Sequence, residues 1–75
     1  MRSFYHFLMT YRGKKNPDEK SRLADWAFAD HYFPKHAMEY DEISSYLEYN
    51  SPFPTAVTVF DELWDIYRIH EHESR

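Results

Sequence analysis

Five histidines, a helix-spaced pair of aspartates and two adjacent serines are the residues of this 75-residue chain whose types suit chemistry. A transition-metal site needs three or four ligands in a defined geometry. His70 and His72 stand two apart, which on a helix places them on different faces, and His31 and His36 flank a proline turn, so neither pair has the i, i+4 spacing of a zinc pair. The chain has no cysteine, which removes disulfides, a thiolate nucleophile and any Cys-bearing zinc site. Asp61 and Asp65 share a helical face, and paired acids do general acid and base work when burial or repulsion separates their pKa values. Here they fall in the opening turns of a predicted helix, where capping and the helix dipole account for them. Ser44 and Ser45 lie beside Glu42 without a Gly-x-Ser-x-Gly elbow or a placed histidine base. The reading is therefore no catalytic residue, no metal and no cofactor, and a chain that is not an enzyme. A helical bundle of this length also offers little of the concave volume that substrates need.

Charge is more informative than its total of −4. Residues 1–22 carry six basic groups against two acidic, a balance of +4, whereas residues 23–75 carry three against eleven, a balance of −8. Arg12, Lys14, Lys15, Lys20 and Arg22 form the candidate binding patch, able to meet phosphates through a few charge contacts. The opposing reading pairs these cations with the protein's own acidic helices. Direct readout of bases would require a presented row of Arg, Asn or Gln on one helix, and the sequence has none.

The elements that must position these groups are helical. Eight β-branched residues, one glycine and 15 aromatics against nine Val, Ile and Leu leave little material for a sandwich or barrel. A single domain this small buries only about 60% of the surface its unfolded chain exposes, so function must sit on the outside of a modest, ring-built core. Ser3 caps a first helix with Phe4, Phe7, Leu8 and Tyr11 on one face, ending near Arg12 and the only glycine, Gly13, at the left-handed C′ position. Asn16, Pro17 and Glu19 predict a capped second helix over 17–31, with Leu23, Trp26 and Ala27 inward, Ala24 and Phe28 widening the stripe and Phe33 just beyond. Pro34 stops it.

A short third helix follows Asp41 and Glu42, places Tyr40, Ile43 and Leu47 on one face and closes at Asn50 before Pro52 and Pro54. Thr58 with Asp61 reads as a capping box for a fourth helix carrying Phe60, Leu63, Trp64 and Tyr67, with Val59, Ile66 and Ile69 broadening the stripe. The domain is expected over 1–69, with a fraying polar tail over 70–75. Phe4, Phe7, Tyr11, Trp26, Phe60, Trp64 and Tyr67 are expected inward, while Tyr5, Tyr32, Tyr49 and Phe53 fall off the stripes and mark an interface if they are exposed together. No apolar run approaches the roughly 20 residues of a membrane span, and no secretory h-region forms, so the expected location is cytoplasmic with no membrane partner.

Several uninterrupted blocks identify a resemblance. Ser3 through Arg12, the Phe33-Pro34-Lys35 turn, Glu42 through Glu48, and Thr58 through Glu62 with Trp64 and Tyr67 resemble the YozE-like small proteins of Gram-positive bacteria. The resemblance covers nearly the whole chain, with the tail after Tyr67 and the connection over 51–56 departing most. It implies an all-α, compact four-helix bundle of the sterile-alpha-motif-like type, cytoplasmic, uncharacterised in activity and with no catalytic residues to carry over. The functional expectation is a non-enzymatic interaction module that binds an unknown protein or weakly associates with itself, with nucleic-acid binding through segment 12–22 as the alternative.

Overall fold

Every helix leaves its first N–H groups without partners, and the way each start satisfies them fixes the element boundaries. The computed structural model describes residues 2–73 and contains four α-helices: α1 over Phe4–Leu8, α2 over Glu19–Ala29, α3 over Tyr40–Asn50 and α4 over Ala56–Glu73. Among the described residues there is no strand. Ser3 caps α1 as expected, its hydroxyl accepting from the His6 N–H at 3.2 Å. A 3-10 turn over Met9–Tyr11 finishes this element, and Gly13 then reverses the chain with φ of +73°, a conformation that costs glycine no Cβ clash.

The second helix starts later than the sequence predicts. Asp18, and not Asn16, is its cap: the Asp18 carboxylate accepts from the Ser21 N–H at 2.9 Å while the Asp18 N–H donates to the Ser21 hydroxyl at 3.1 Å. This reciprocal box satisfies two orphan donors at once and buries Ser21 completely. The Ser21 N–H, with the Lys14 ammonium, holds the Asp18 carboxyl down at a pKa of about 2. Glu19 is drawn away from a capping role because its carboxylate accepts from the Thr55 hydroxyl, tying the start of α2 to the start of α4. The helix also stops at Ala29, since the Asp30 N–H turns back to the Trp26 and Ala27 carbonyls and the Asp30 carboxylate accepts from the Tyr32 N–H. Asp30 thus closes the turn two residues before the expected end.

The third helix matches its expected bounds. Helix α4 exceeds its own at both ends. It starts at Ala56, where the Ala56 N–H donates to the Phe53 carbonyl at 3.0 Å and the Val59 N–H to the Thr55 carbonyl at 2.9 Å. Thr58 and Asp61 therefore lie inside the helix and form no capping box; Asp61 instead accepts from the Tyr40 hydroxyl at 2.6 Å. The expected tail over 70–75 continues as helix through Glu73, while Ser74 and Arg75, and the side chain of His72, lie outside the described residues. The cause is Glu71, buried against the N-terminal residues: it accepts from the Arg2 backbone N–H at 2.7 Å and the Arg2 Nε at 3.3 Å, and these bonds hold its carboxyl below the usual range. The Tyr67 hydroxyl donates to the Arg2 carbonyl beside them. These contacts span nearly the full chain, so no local pattern announces them.

Phe4, Leu8, Leu23, Ile43, Leu47, Phe60 and Leu63 are the largest apolar side chains to be fully buried, and α4 is the hub on which α1, α2 and α3 pack. The Phe4 ring meets Phe60 edge-on at 5.1 Å and Tyr67 edge-on at 5.5 Å, with Trp64 at 5.6 Å. Such tilted and perpendicular contacts suit the ring quadrupole. Five residues cannot hold a helix by propensity alone, so α1 exists because Phe4 and Phe7 are buried against α4. A second ring cluster joins Phe33 to Tyr5, Trp26 and Tyr46, closing the other end of the bundle. Of the seven rings expected inward, Phe4, Phe7, Phe60 and Tyr67 are buried, and Tyr11, Trp26 and Trp64 are half-buried against the core. Phe28 departs from its expected inward place and is 52% exposed. The radius of gyration of 11.6 Å matches the roughly 11 Å of a compact chain this long. Among the described residues no helix is long and apolar enough to cross a membrane.

Candidate functional site

The five cations of the basic segment are distributed around the start of α2 and do not form an open array. Arg12 lies 4.0 Å from the Asp25 carboxylate and spreads its guanidinium 3.4 Å over the Phe28 ring, which is why an exposed Phe28 is tolerated there. The Gly13 N–H donates to the same Asp25 carboxylate at 3.3 Å. Lys14 pairs with Asp18 at 3.0 Å, and Lys20 reaches across to Glu62 of α4 at 3.4 Å. Arg22 lies over the Phe53 ring at 5.1 Å. Among the described residues Lys15 alone of the five has no acidic or aromatic partner. All three ion pairs are solvent-facing, so each is weak and open to exchange.

The acidic surface is the less screened one. Residues 37–67 contain seven carboxylates and no Lys, Arg or His, and of those seven only Glu62 is in an ion pair among the described residues. This signal was present in the sequence as an uninterrupted absence of cations. Helix α3 carries Asp41 and Glu42 in its first turn, where the dipole favours them, but no basic residue in its last turn. Helix α2 likewise has none in its last turn.

Those two C-terminal ends meet at a groove of about 420 Å³ lined by Trp26, Ala29, Asp30, Asn50 and Ser51. Asp30 is its only charged lining residue. Its carboxylate accepts from the Tyr46 hydroxyl and the Tyr32 N–H, both neutral donors, and has no cationic partner among the described residues. Burial, and then the Asp30 carboxylate, push the Tyr46 hydroxyl up to a pKa of about 12, so this donor stays protonated. The Trp26 ring stands 6.3 Å from Tyr46 on the same side. Among the described residues no backbone N–H caps the final carbonyls of α3; Asn50 reaches back to the Tyr46 carbonyl and Ser51 on to the Phe53 carbonyl. The groove was invisible in the sequence, since its two walls lie twenty and more residues apart.

The off-stripe aromatics divide. Tyr5 packs on Phe33 under the Lys35 ammonium, and Phe53 is half-buried beneath Arg22, so both serve the fold. Tyr32, in the turn that follows α2, is 85% exposed, and Tyr49, in the last turn of α3, is 87% exposed. Tyr49 belongs to α3 and Tyr32 follows the end of α2, the two helices whose ends form the groove. Among the described residues no three His, Asp or Glu side chains are placed to hold a metal ion. Asp61 and Asp65 are exposed, and Ser45 faces solvent with Ser44 half-buried beside Tyr40.

Comparison with known proteins gives one consistent result. Residues 3–68 match the family model described as the YozE SAM-like fold. The chain is 47% identical over 74 residues to a UPF0346 protein of Listeria monocytogenes serotype 4a, covering 99% of this chain and 96% of that one. It is also 47% identical over 72 residues to the UPF0346 protein YozE of Bacillus subtilis, covering 96% and 97% respectively. The solution NMR structure of that B. subtilis protein superposes with a TM-score of 0.83 at 46% identity, over 99% of this chain and 90% of the other.

Proposed function

The chain belongs to the YozE SAM-like family, and from that premise we propose that it is a non-enzymatic helical module of the cytoplasm that docks another protein through its surface. The observation that carries this reading is the pair Tyr32 and Tyr49, both more than four-fifths exposed at the ends of α2 and α3. Tyrosine offers a large rigid contact area at low entropic cost and is enriched at interface hot spots. The test is affinity capture from a lysate of a bacterium that carries a relative, comparing the wild-type domain with a Tyr32→Ser/Tyr49→Ser variant. A protein retained by the first and lost by the second is expected. Identical recovery by both would defeat the reading.

Nucleic-acid binding through Arg12, Lys14, Lys15, Lys20 and Arg22 is the second reading, supported by the exposure and weak pairing of these cations. A polyanion would have to displace Asp25, Asp18 and Glu62 and approach a chain of net charge −4, which favours the protein partner. Salt-dependent amide shifts over 12–22 on adding a generic duplex or single strand would reverse that preference.

A further inference from the structure

We propose that the groove between the C-terminal ends of α2 and α3 receives an arginine side chain from a basic segment of a separate partner protein. The inference rests on the protein-docking reading and gives it a chemistry. Three features of the groove favour a planar cation. Trp26 lines the groove, and an indole is the aromatic group that best attracts a guanidinium. The Asp30 carboxylate is held in place by two neutral donors and retains lone pairs for a charge-assisted hydrogen bond. The carbonyls ending α3 lack backbone caps among the described residues and carry the negative end of the helix dipole, with no basic residue in the last turn of either helix to neutralise it.

Arginine fits better than lysine because its five donors in a flat fork serve a carboxylate and nearby carbonyls at once, while a point charge does not. Charge complementarity argues for a basic segment on the partner: Asp30 is the one charged residue lining the groove and has no cationic partner among the described residues. Tyr32 and Tyr49 on the flanking elements supply the apolar contact around such an anchor. The chain's own two arginines beside α2 rest on other groups, Arg12 on Asp25 and Phe28 and Arg22 on Phe53.

The experiment is an amide and indole chemical-shift titration of the full chain with a tetra-arginine peptide, against tetra-lysine and tetra-glutamate peptides, at moderate salt. Saturable shifts centred on Trp26, Asp30, Tyr49 and Ser51 are expected, stronger with arginine than lysine and absent with glutamate. Asp30→Asn should weaken binding about tenfold, the size of one charge-assisted hydrogen bond. Because Asp30 also closes the turn after α2, a second variant guards against misfolding: Asn50→Arg places a guanidinium of the chain's own at an exposed helix end and should abolish binding while leaving the spectrum folded. Shifts spread over Asp41, Asp61 and Asp65 instead, or no response to either variant, overturn the assignment. If a partner is still captured through Tyr32 and Tyr49 while the peptide ignores the groove, protein docking stands and the arginine chemistry falls. Concentration-dependent line broadening without peptide, removed by Asn50→Arg, would give the groove to a second copy of this chain and overturn the separate partner.

Discussion

Replacing Phe4 by alanine tests whether one ring organises the whole fold. Phe4 is fully buried and touches Phe7, Phe60, Trp64 and Tyr67, with ring centroids 5.1 to 6.0 Å away. Deleting a ring so enclosed removes its transfer free energy and leaves a cavity that its rigid aromatic neighbours close poorly, a loss of about 3–5 kcal/mol. A chain of this length has a total stability of roughly 4–11 kcal/mol, so the change consumes much or all of it. At roughly 4–8 °C per kcal/mol for small domains, the melting temperature should drop by about 15 °C or more. The assay is urea unfolding followed by circular dichroism and tryptophan fluorescence, with Phe28→Ala as the comparison. Phe28 is half-exposed under the Arg12 guanidinium, and its truncation should cost less than about 1 kcal/mol. Because α1 has only five residues, Phe4→Ala should also release the 3–11 segment, seen as collapsed shift dispersion there even where the rest remains folded. A cost below about 1 kcal/mol for Phe4→Ala, or equal costs for the two variants, would refute the placement of the core.

Three further predictions follow from single residues. Asp18 has a pKa of about 2 in the fold against an ordinary 3.8, so the stability it confers is complete above about pH 4 and is lost as pH falls toward 2. Asp18→Asn keeps a capping side chain without the titration, and should flatten the acid limb of a melting-temperature profile; superimposable limbs would contradict the cap. Tyr46 is shifted the opposite way, from 10 to about 12, so its contribution is present below pH 10 and lost as pH rises through 12. In a spectrophotometric titration Tyr46→Phe should remove the last phenolate to ionise, and an unchanged curve would show that burial and Asp30 do not act on it. Gly13 sits at φ of +73° with open space where a Cβ would go, so Gly13→Ala should cost about 1 kcal/mol of backbone strain with no clash, and Gly13→Asn less. Equal melting temperatures for all three residues would place the turn outside the left-handed region.

Much of the fold was legible because it rests on local rules. The Ser3 cap, the Gly13 reversal, the bounds of α3 and the apolar stripes of Leu23, Ala27, Ile43, Leu47, Phe60, Leu63 and Tyr67 all follow from spacing within one turn or two, and the structure places them as read. Errors arose where a distant partner outbid a local one. Glu19 serves Thr55 and leaves the capping box to Asp18 and Ser21; Asp61 serves Tyr40, and α4 begins without it. Glu71 turns an apparent tail into helix because Arg2, 69 residues earlier, meets it there.

The candidate site shows the same division. Charge segregation and a surplus of tyrosines over what the core takes up are readable from the residues alone, since both are properties of composition and register. It is the packing of the folded chain that pairs most cations of the basic segment with Asp25, Asp18, Glu62 and two rings, leaves Lys15 without such a partner among the described residues, and brings the ends of α2 and α3 together at Asp30. Side-chain pairing at a distance and the meeting of two helix ends depend on how rigid elements pack against α4, and no periodicity within either element encodes that packing.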